Sequence, residues 1–410
     1  MFLTILTLCA AQHSFELPGA SHWDGMGMST FVMDDINGDG SAEIGTSAFC
    51  TDYNGTNSGS VYVYDGATLV QLRRHDGVDT SSRLGRFSTS IGDIDGDGVR
   101  DYAAGATFES TYNLRGGALY VWSGATGQRL SRTAGRENYG YFGASISSIA
   151  DLDNDGTPDL LVGAPGEANG DGRVYALSGA TGAEINHFNG RSANGGCGTS
   201  VAAIGDVDGD GIEDFAAGEP YARSGQGDVH LVSGATFNRI RRIKGNTSAA
   251  WFGFRVAHVG DANSDARDEI LIGEPCKDTV HVYNTRGNRL RKHEGPGAQS
   301  GPKQGWGHAI AGTGDIDGDG YDDYVIGAPG EWRGFSFQSA GADTTIFSGN
   351  TGLPIMSFAP AEPDDSFGSS LAVGVALIGS GQKALLIGAP AAGSISAQHA
   401  TGLLCGFLLP

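Results

Sequence analysis

Six times in this chain, oxygen-bearing side chains recur at every second position of a short glycine-containing stretch. In "DVDGDGIED", Asp206, Asp208, Asp210 and Asp214 take positions 1, 3, 5 and 9, and position 6 is Gly211. Carboxylates crowded into one folded loop repel each other unless a hard cation sits among them, and calcium accepts roughly six to eight oxygen ligands in a flexible shell. The glycine permits a tight turn, and the carbonyl of Ile212 at position 7 is the expected main-chain ligand. A helix–loop–helix calcium site would also need flanking helices and a glutamate at position 12. That position is Ala217, and "DFAAGEP" is short, apolar and glycine-terminated, so it reads as a buried strand. The expected chemistry is a calcium loop between two strands.

The pattern returns at intervals of 58, 58, 55, 55 and 54 residues, far too regular for isolated side-chain-capped turns. In the same positions 1, 3, 5, 7 (main chain) and 9, the six expected ligand sets follow in chain order. The first is Asp35, Asn37, Asp39, Ser41 and Glu43, and the second Asp93, Asp95, Asp97, Val99 and Asp101. The third is Asp151, Asp153, Asp155, Thr157 and Asp159, and the fourth is the Asp206 set with Ile212. The fifth is Asp261, Asn263, Asp265, Arg267 and Glu269, and the sixth Asp315, Asp317, Asp319, Tyr321 and Asp323. Up to six calcium ions are expected.

The elements that must carry these loops follow from the flanking register. Eight residues before each first Asp stands a glycine, often after an aromatic, as at Phe142–Gly143, Phe252–Gly253 and Trp306–Gly307. Twelve residues after it comes "GAT", "GAP" or "GEP", with the first repeat departing as "SAF" from Ser47. "FGSSLAVGV" from Phe367 and "GAP" at Gly388 mark a seventh repeat, whose loop from Ala376 has lost its carboxylates. Runs such as "GRVYALSGATG" then alternate in polarity and end in a hairpin turn. Four strands per repeat, seven repeats and no amphipathic helical period predict an all-β, seven-bladed β-propeller of four-stranded blades. The last repeat supplies three strands and "HSFELPG" near the start a spare one, so Phe15 to Leu17 are expected to complete the last blade beside residues 402–409 and remove an open edge. The expected organisation is one propeller domain over 12–410. Its blades run over about 20–76, 77–134, 135–190, 191–245, 246–294, 295–359 and 360–410 plus 14–17.

The aromatic–Gly pair, the DxDxDGxxD loop and the GAP, at these spacings, resemble FG-GAP repeats, the units of the integrin alpha-subunit propeller. The resemblance covers residues 14–410. It implies an extracellular propeller with calcium loops on one face and partners on the other. With no inserted von Willebrand-type domain, β-sandwich legs or membrane helix in the sequence, the closer likeness is a stand-alone, bacterial-type secreted member.

Composition agrees. The formal charge of −21 suits neither nucleic acid nor an anionic membrane, and six divalent ions would offset twelve of those charges. The apolar run "MFLTILTLCAA" (1–11) is expected to act as an export signal cleaved after Ala11. Cys50, Cys197, Cys276 and Cys405 match no zinc spacing, and their pairing is open. No metalloprotease, nucleophile-elbow or phosphate-loop motif occurs, and no catalytic residue is assigned. His258 and His308 fall on expected innermost strands. The variable segments 107–117, 135–143, 246–253, 295–307 and 331–341 place Tyr112, Tyr139, Trp251, Trp306, Trp332 and Phe335 where an extracellular protein or glycan would bind a monomeric propeller. Packing between blades competes for the same aromatics. Ligand recognition or adhesion is the leading expectation, with a glycan-active enzyme or lectin, and an inert envelope scaffold, left open.

Overall fold

The computed structural model describes residues 13–21, 23–295, 304–333, 336–338, 343–359, 366–375, 382–392 and 401–409. The export segment 1–11 and the seventh loop at 376–381 lie outside the described residues. Seven four-stranded antiparallel sheets form a ring in which the innermost strand of each touches the innermost strand of the next, all the way round. Blade 3 is representative: Ser145–Ile149, Asp159–Ala164, Arg173–Leu177 and Glu184–Asn189 pair in sequence order.

Composition sorts the strands within a blade. Second and third strands such as "DLLVGA" and "DVHLV" are buried at every residue, because a blade is covered on both faces by its neighbours and cannot alternate. Fourth strands such as "QLRRHD" carry only exposed and half-buried residues at the rim. The core is therefore a series of wedges between sheets: Val61 and Val63 of blade 1, for example, pack with Tyr102, Ala104 and Tyr120 of blade 2.

The ring closes as the sequence predicts. His13–Pro18 pairs antiparallel with Leu403–Leu408, placing Phe15 opposite Gly406 and Leu17 opposite Leu404, and the Ser370 hydroxyl donates to the Gly27 carbonyl across the seam at 2.8 Å. Among the described residues, short irregular helix occurs at Ala168–Gly170, Ala222–Gly225 and Pro275–Lys277, each at or just after a GAP-type triplet. A small hairpin, Glu331–Arg333 with Ser336–Gln338, occupies the 331–341 excursion that the sequence reading treated as a loop.

The two glycines of the repeat explain each other. Within a blade the first-strand glycine donates its N–H to the GAP carbonyl, as Gly143 does to Gly163 at 3.0 Å. Between blades, a Cβ on Gly163 would lie 2.0 Å from the Gly198 carbonyl oxygen, and one on Gly388 would lie 1.9 Å from that of Gly27. Blade 1 is the exception, and there Ser47 takes up the space left by Gly85 in the next blade. Replacing Gly163 by alanine should therefore force two sheets apart and cost about 1–3 kcal/mol. By contrast, Gly182→Ala, whose Cβ would meet nothing nearer than 3.4 Å but whose φ is +69°, should cost only about 1 kcal/mol. Urea denaturation of both variants checks this, and equal losses would contradict it.

Candidate functional site

Each acidic loop joins the first and second strands of its blade, so the described loops share one end of the ring. The backbone of each loop is wound around its first carboxylate. Asp206 accepts the N–H groups of Gly209 (2.7 Å), Asp210 (3.2 Å) and Gly211 (2.8 Å), Asp208 accepts that of Asp210, and Asp210 accepts that of Ile212. The second loop repeats this set, with Asp93 receiving Gly96, Asp97 and Gly98, and Val99 donating to Asp97. The corresponding bonds from Thr157 to Asp155, Ser41 to Asp39 and Tyr321 to Asp319 hold the third, first and sixth loops, and in the fifth Asp261 receives Asp265 and Ala266. The Gly40 N–H, foremost among such donors, holds the Asp35 carboxyl below its ordinary range. Position 6 requires a left-handed backbone, and in the fifth loop it is filled by Ala266, at φ +61°, in place of glycine.

Four loops bring three carboxylates within 4.8 Å of one another: Asp93, Asp95 and Asp101; Asp151, Asp153 and Asp159; Asp206, Asp208 and Asp210; Asp315, Asp317 and Asp323. In the first and fifth loops Asn37 and Asn263 replace the second carboxylate. The Asn37 amide donates to Asp65 at 2.8 Å, and that of Asn263 donates to Glu269 at 2.5 Å. The ninth position points inward in every loop: Glu43, Asp101, Asp159, Asp214, Glu269 and Asp323 have no exposed surface. Asp101 accepts Ile94 N–H and, from the third-to-fourth strand turn, Gly124 N–H. Asp159, Asp214 and Asp323 make the same pair of bonds with their own turns. Burial pushes Glu43 and Glu269 up to about 7 and Asp101 up to about 6. A hard oxygen donor set whose buried member is destabilised as an anion can hold a divalent cation.

Position 8, which the sequence reading passed over, links the loops into a girdle. Arg100 pairs with Asp34 of blade 1 at 3.1 Å, Glu213 receives the Ala150 N–H of blade 3 at 2.7 Å, and Asp322 receives the Asp261 N–H of blade 5 at 3.0 Å. Lys383, at the same register of the seventh repeat, donates to the Asp315 carbonyl at 3.0 Å. These four residues differ in chemistry while sharing the reach to the preceding blade, so a residue-type search does not find them; in blade 5 the same position, Asp268, pairs with His258 of its own blade.

The opposite end of the ring is aromatic and basic. Two residues before each first-strand glycine the backbone is left-handed in all seven blades, and Arg83, Tyr141, Trp251 and Ser366 adopt it without being glycine. Trp251 stacks on Phe254 and meets Tyr221 edge-on, and Phe108 meets Tyr141 edge-on. Of the aromatics singled out from the sequence, Tyr112 (72% exposed, with the Arg132 guanidinium 5.2 Å from its ring centre) and Tyr139 (48%) face solvent, and Trp251 is half-buried. Trp306 does not: it is buried against Val280, Tyr324 and Phe347 in the wedge between blades 5 and 6. The side chains of Trp332 and Phe335 lie outside the described residues. His258 is exposed and pairs with Asp268 at 2.8 Å. His308 is buried beside Phe254, and its loss of solvent holds it down to about 3.

The GAP-type triplets introduce buried carboxylates that the sequence reading left unassigned. Glu109 is bound by Tyr120 and Arg132, Glu167 by Tyr175 and Arg173, and Glu219 by His230 at 2.7 Å. Glu219 also receives the N–H groups of Arg191 and Ser192 in the link to its own blade. These carboxylates are saturated by the fold's own donors and tie the blade links down. Of the four described cysteines, Cys50 and Cys197 are free thiols; Cys197 and Cys405 are buried, and Cys50 and Cys276 partly so.

Comparison with known proteins agrees with this geometry. The FG-GAP repeat family matches residues 142–177, 198–232 and 306–341. Integrin alpha-PS2 of Drosophila melanogaster is 29% identical over 240 residues, covering 51% of this chain and 16% of that protein. Integrin alpha-IIb of Homo sapiens is 30% identical over 220 residues, covering 49% of this chain and 21% of that protein. The chain thus matches only about a fifth of the length of these relatives. Among solved structures, BBS1N in complex with ARL6DN, soaked with lead, superposes with a TM-score of 0.58 at 12% identity over 97% of this chain and 96% of that one, a likeness of fold alone. The repeats, their register and the closed ring of seven blades make this chain an integrin-like FG-GAP β-propeller.

Proposed function

We propose that this propeller is a secreted or cell-surface recognition module. Its acidic loops take calcium, and its opposite end binds an extracellular protein or glycan, serving adhesion or ligand capture. The observation that carries this reading is the strained lip: Arg83, Tyr141 and Trp251 occupy left-handed positions where three other blades use glycine. Each such residue costs about 1–2 kcal/mol of backbone strain, and strain of this kind collects at binding sites. The integrin relatives support the assignment to recognition, and no helix among the described residues is long and apolar enough to cross a membrane.

The loop residues would hold calcium as follows. Positions 1, 3 and 5 turn carboxylate or amide oxygens to the loop centre, position 7 offers its carbonyl, and the buried position 9 closes the set. All thirty positions named from the sequence are retained in this proposal, the two asparagine-bearing loops as the weaker members. Bound calcium supplies positive charge that offsets the mutual repulsion of these carboxylates. The fold's own donors meanwhile keep each buried ninth residue aimed inward, and the position 8 links pass a fixed loop geometry to the neighbouring blade.

Three outcomes are expected. In chelator, Glu43, Asp101 and Glu269 have folded values raised above those of the unfolded chain. They therefore add stability below about pH 4 that is lost as pH rises through about 6 to 7. The melting temperature should fall over that window in chelator and hold level in millimolar calcium; identical profiles would sink the calcium reading. Ala266→Gly should stabilise the protein by about 1 kcal/mol by relieving left-handed strain, read by chemical denaturation in chelator. Finally, a binding screen on glycans and matrix proteins should yield a ligand whose binding is lost on Trp251→Ala with Tyr139→Ala; retained binding would remove the lip from the site.

A further inference from the structure

Arginines gather at the mouth of the central channel of this acidic protein, on its aromatic end. Arg255, on the innermost strand of blade 5, borders a channel cavity of about 120 Å³ lined also by Phe87, Ser88, Thr89, Ser145 and Ser200. Its guanidinium sits 4.9 Å from the Phe254 ring centre and 5.0 Å from that of Phe87, and its one hydrogen bond given by the geometry is to the Phe254 carbonyl at 3.2 Å. Arg86 lies close enough to act on it, and Arg83, Arg86 and Arg115 surround the Phe108 ring at 4.8, 5.5 and 5.3 Å. Among the described residues no carboxylate pairs with Arg86 or Arg255. Loss of solvent, with Arg86 next, holds Arg255 down to about 10, and loss of solvent with Arg83 lowers Arg86.

Elsewhere in the molecule desolvated arginines are answered. Arg132 is paired with Glu109, Arg173 with Glu167, and both Arg223 and Arg242 with Asp228. The channel mouth breaks that rule in a protein of net charge −21, where carboxylates are abundant. A guanidinium cannot shed its proton to escape burial, and although the Phe254, Phe87 and Phe108 rings attract the charges, an external anion would relieve their mutual repulsion. Arginine's planar fork matches a carboxylate or sulfate with two parallel hydrogen bonds.

We propose that Arg86 and Arg255 form an oxyanion-binding site at the channel mouth, which takes a carboxylate or sulfate group of the ligand. This rests on the reading that the aromatic end is the recognition face, and it names the chemistry that face selects. Phe254 and Phe87 wall the site, the serine hydroxyls of the inner strands lie below it, and Tyr221 is within electrostatic reach of both arginines.

The test uses the full chain in calcium and titrates sodium acetate and, separately, sodium sulfate against chloride at constant ionic strength. Side-chain Nε–Hε resonances of arginine are followed by NMR and assigned with Arg86→Gln and Arg255→Gln. The expected result is saturable shifts of Arg86 and Arg255 with either oxyanion, none at Arg239 on an outer strand, and affinity at least about tenfold weaker in each variant. The stronger arm identifies which oxyanion the site prefers. Unchanged Arg86 and Arg255 resonances, or equal shifts at Arg239, would overturn the site. So would a macromolecular ligand that binds parent and both variants equally, although recognition by this face would then stand. Oxyanion shifts in a protein for which no macromolecular ligand is found would support the site and count only against the adhesion reading.

Discussion

The structure depends on backbone meeting backbone at each blade junction. The GAP-type glycine of one blade lies against the first-strand glycine carbonyl of the next, at separations that leave no room for a methyl group. That approach sets how closely neighbouring sheets pack, and the apolar wedges between them, such as the Val61, Val63 and Tyr102 cluster, are sized to match. The same geometry operates across the seam, where Gly388 meets Gly27. Closure therefore needs no special device beyond a borrowed outer strand.

Around this scaffold the charges separate by end. Carboxylates gather at the loops between first and second strands, where backbone N–H groups orient them and the position 8 residues Arg100, Glu213, Asp322 and Lys383 bridge to the preceding blade. At the other end the carboxylates are buried and bound by tyrosine, histidine and arginine, while Arg86 and Arg255 at the channel mouth meet no carboxylate among the described residues. A single repeat thus carries two kinds of acid with different roles. Loop acids converge on a shared centre and are destabilised by one another. Acids after the GAP converge on the chain's own donors and hold the links in place.

The loops were legible because calcium chemistry imposes residue type and spacing together, and repetition multiplied the signal. The outer strand at Phe15 to Leu17 was legible because a missing strand at one terminus and a spare one at the other admit one economical arrangement. The hairpin of Glu331–Arg333 with Ser336–Gln338 was not, since it is an insertion with no counterpart among the described residues of the other repeats. The short turns at Ala168–Gly170 and Ala222–Gly225 were not either, since left-handed residues that are not glycine shape them. Trp306 carried two readings, ligand contact and packing between blades, and the structure decides for packing. A tryptophan in a blade link reads the same whether it turns outward or into the wedge, and only Val280, Tyr324 and Phe347 around it decide the matter.

By itself the sequence determined the fold class, the number of blades and the position of every acidic loop, since these follow from local periodicity and from turn chemistry that neighbouring residues enforce. Tertiary structure alone decided which acids are buried, which arginines find a counter-charge, and which left-handed residues crowd one lip. Residues such as Arg86 and Arg255 lie three blades apart in the chain, and they meet because a ring brings every first strand to one axis.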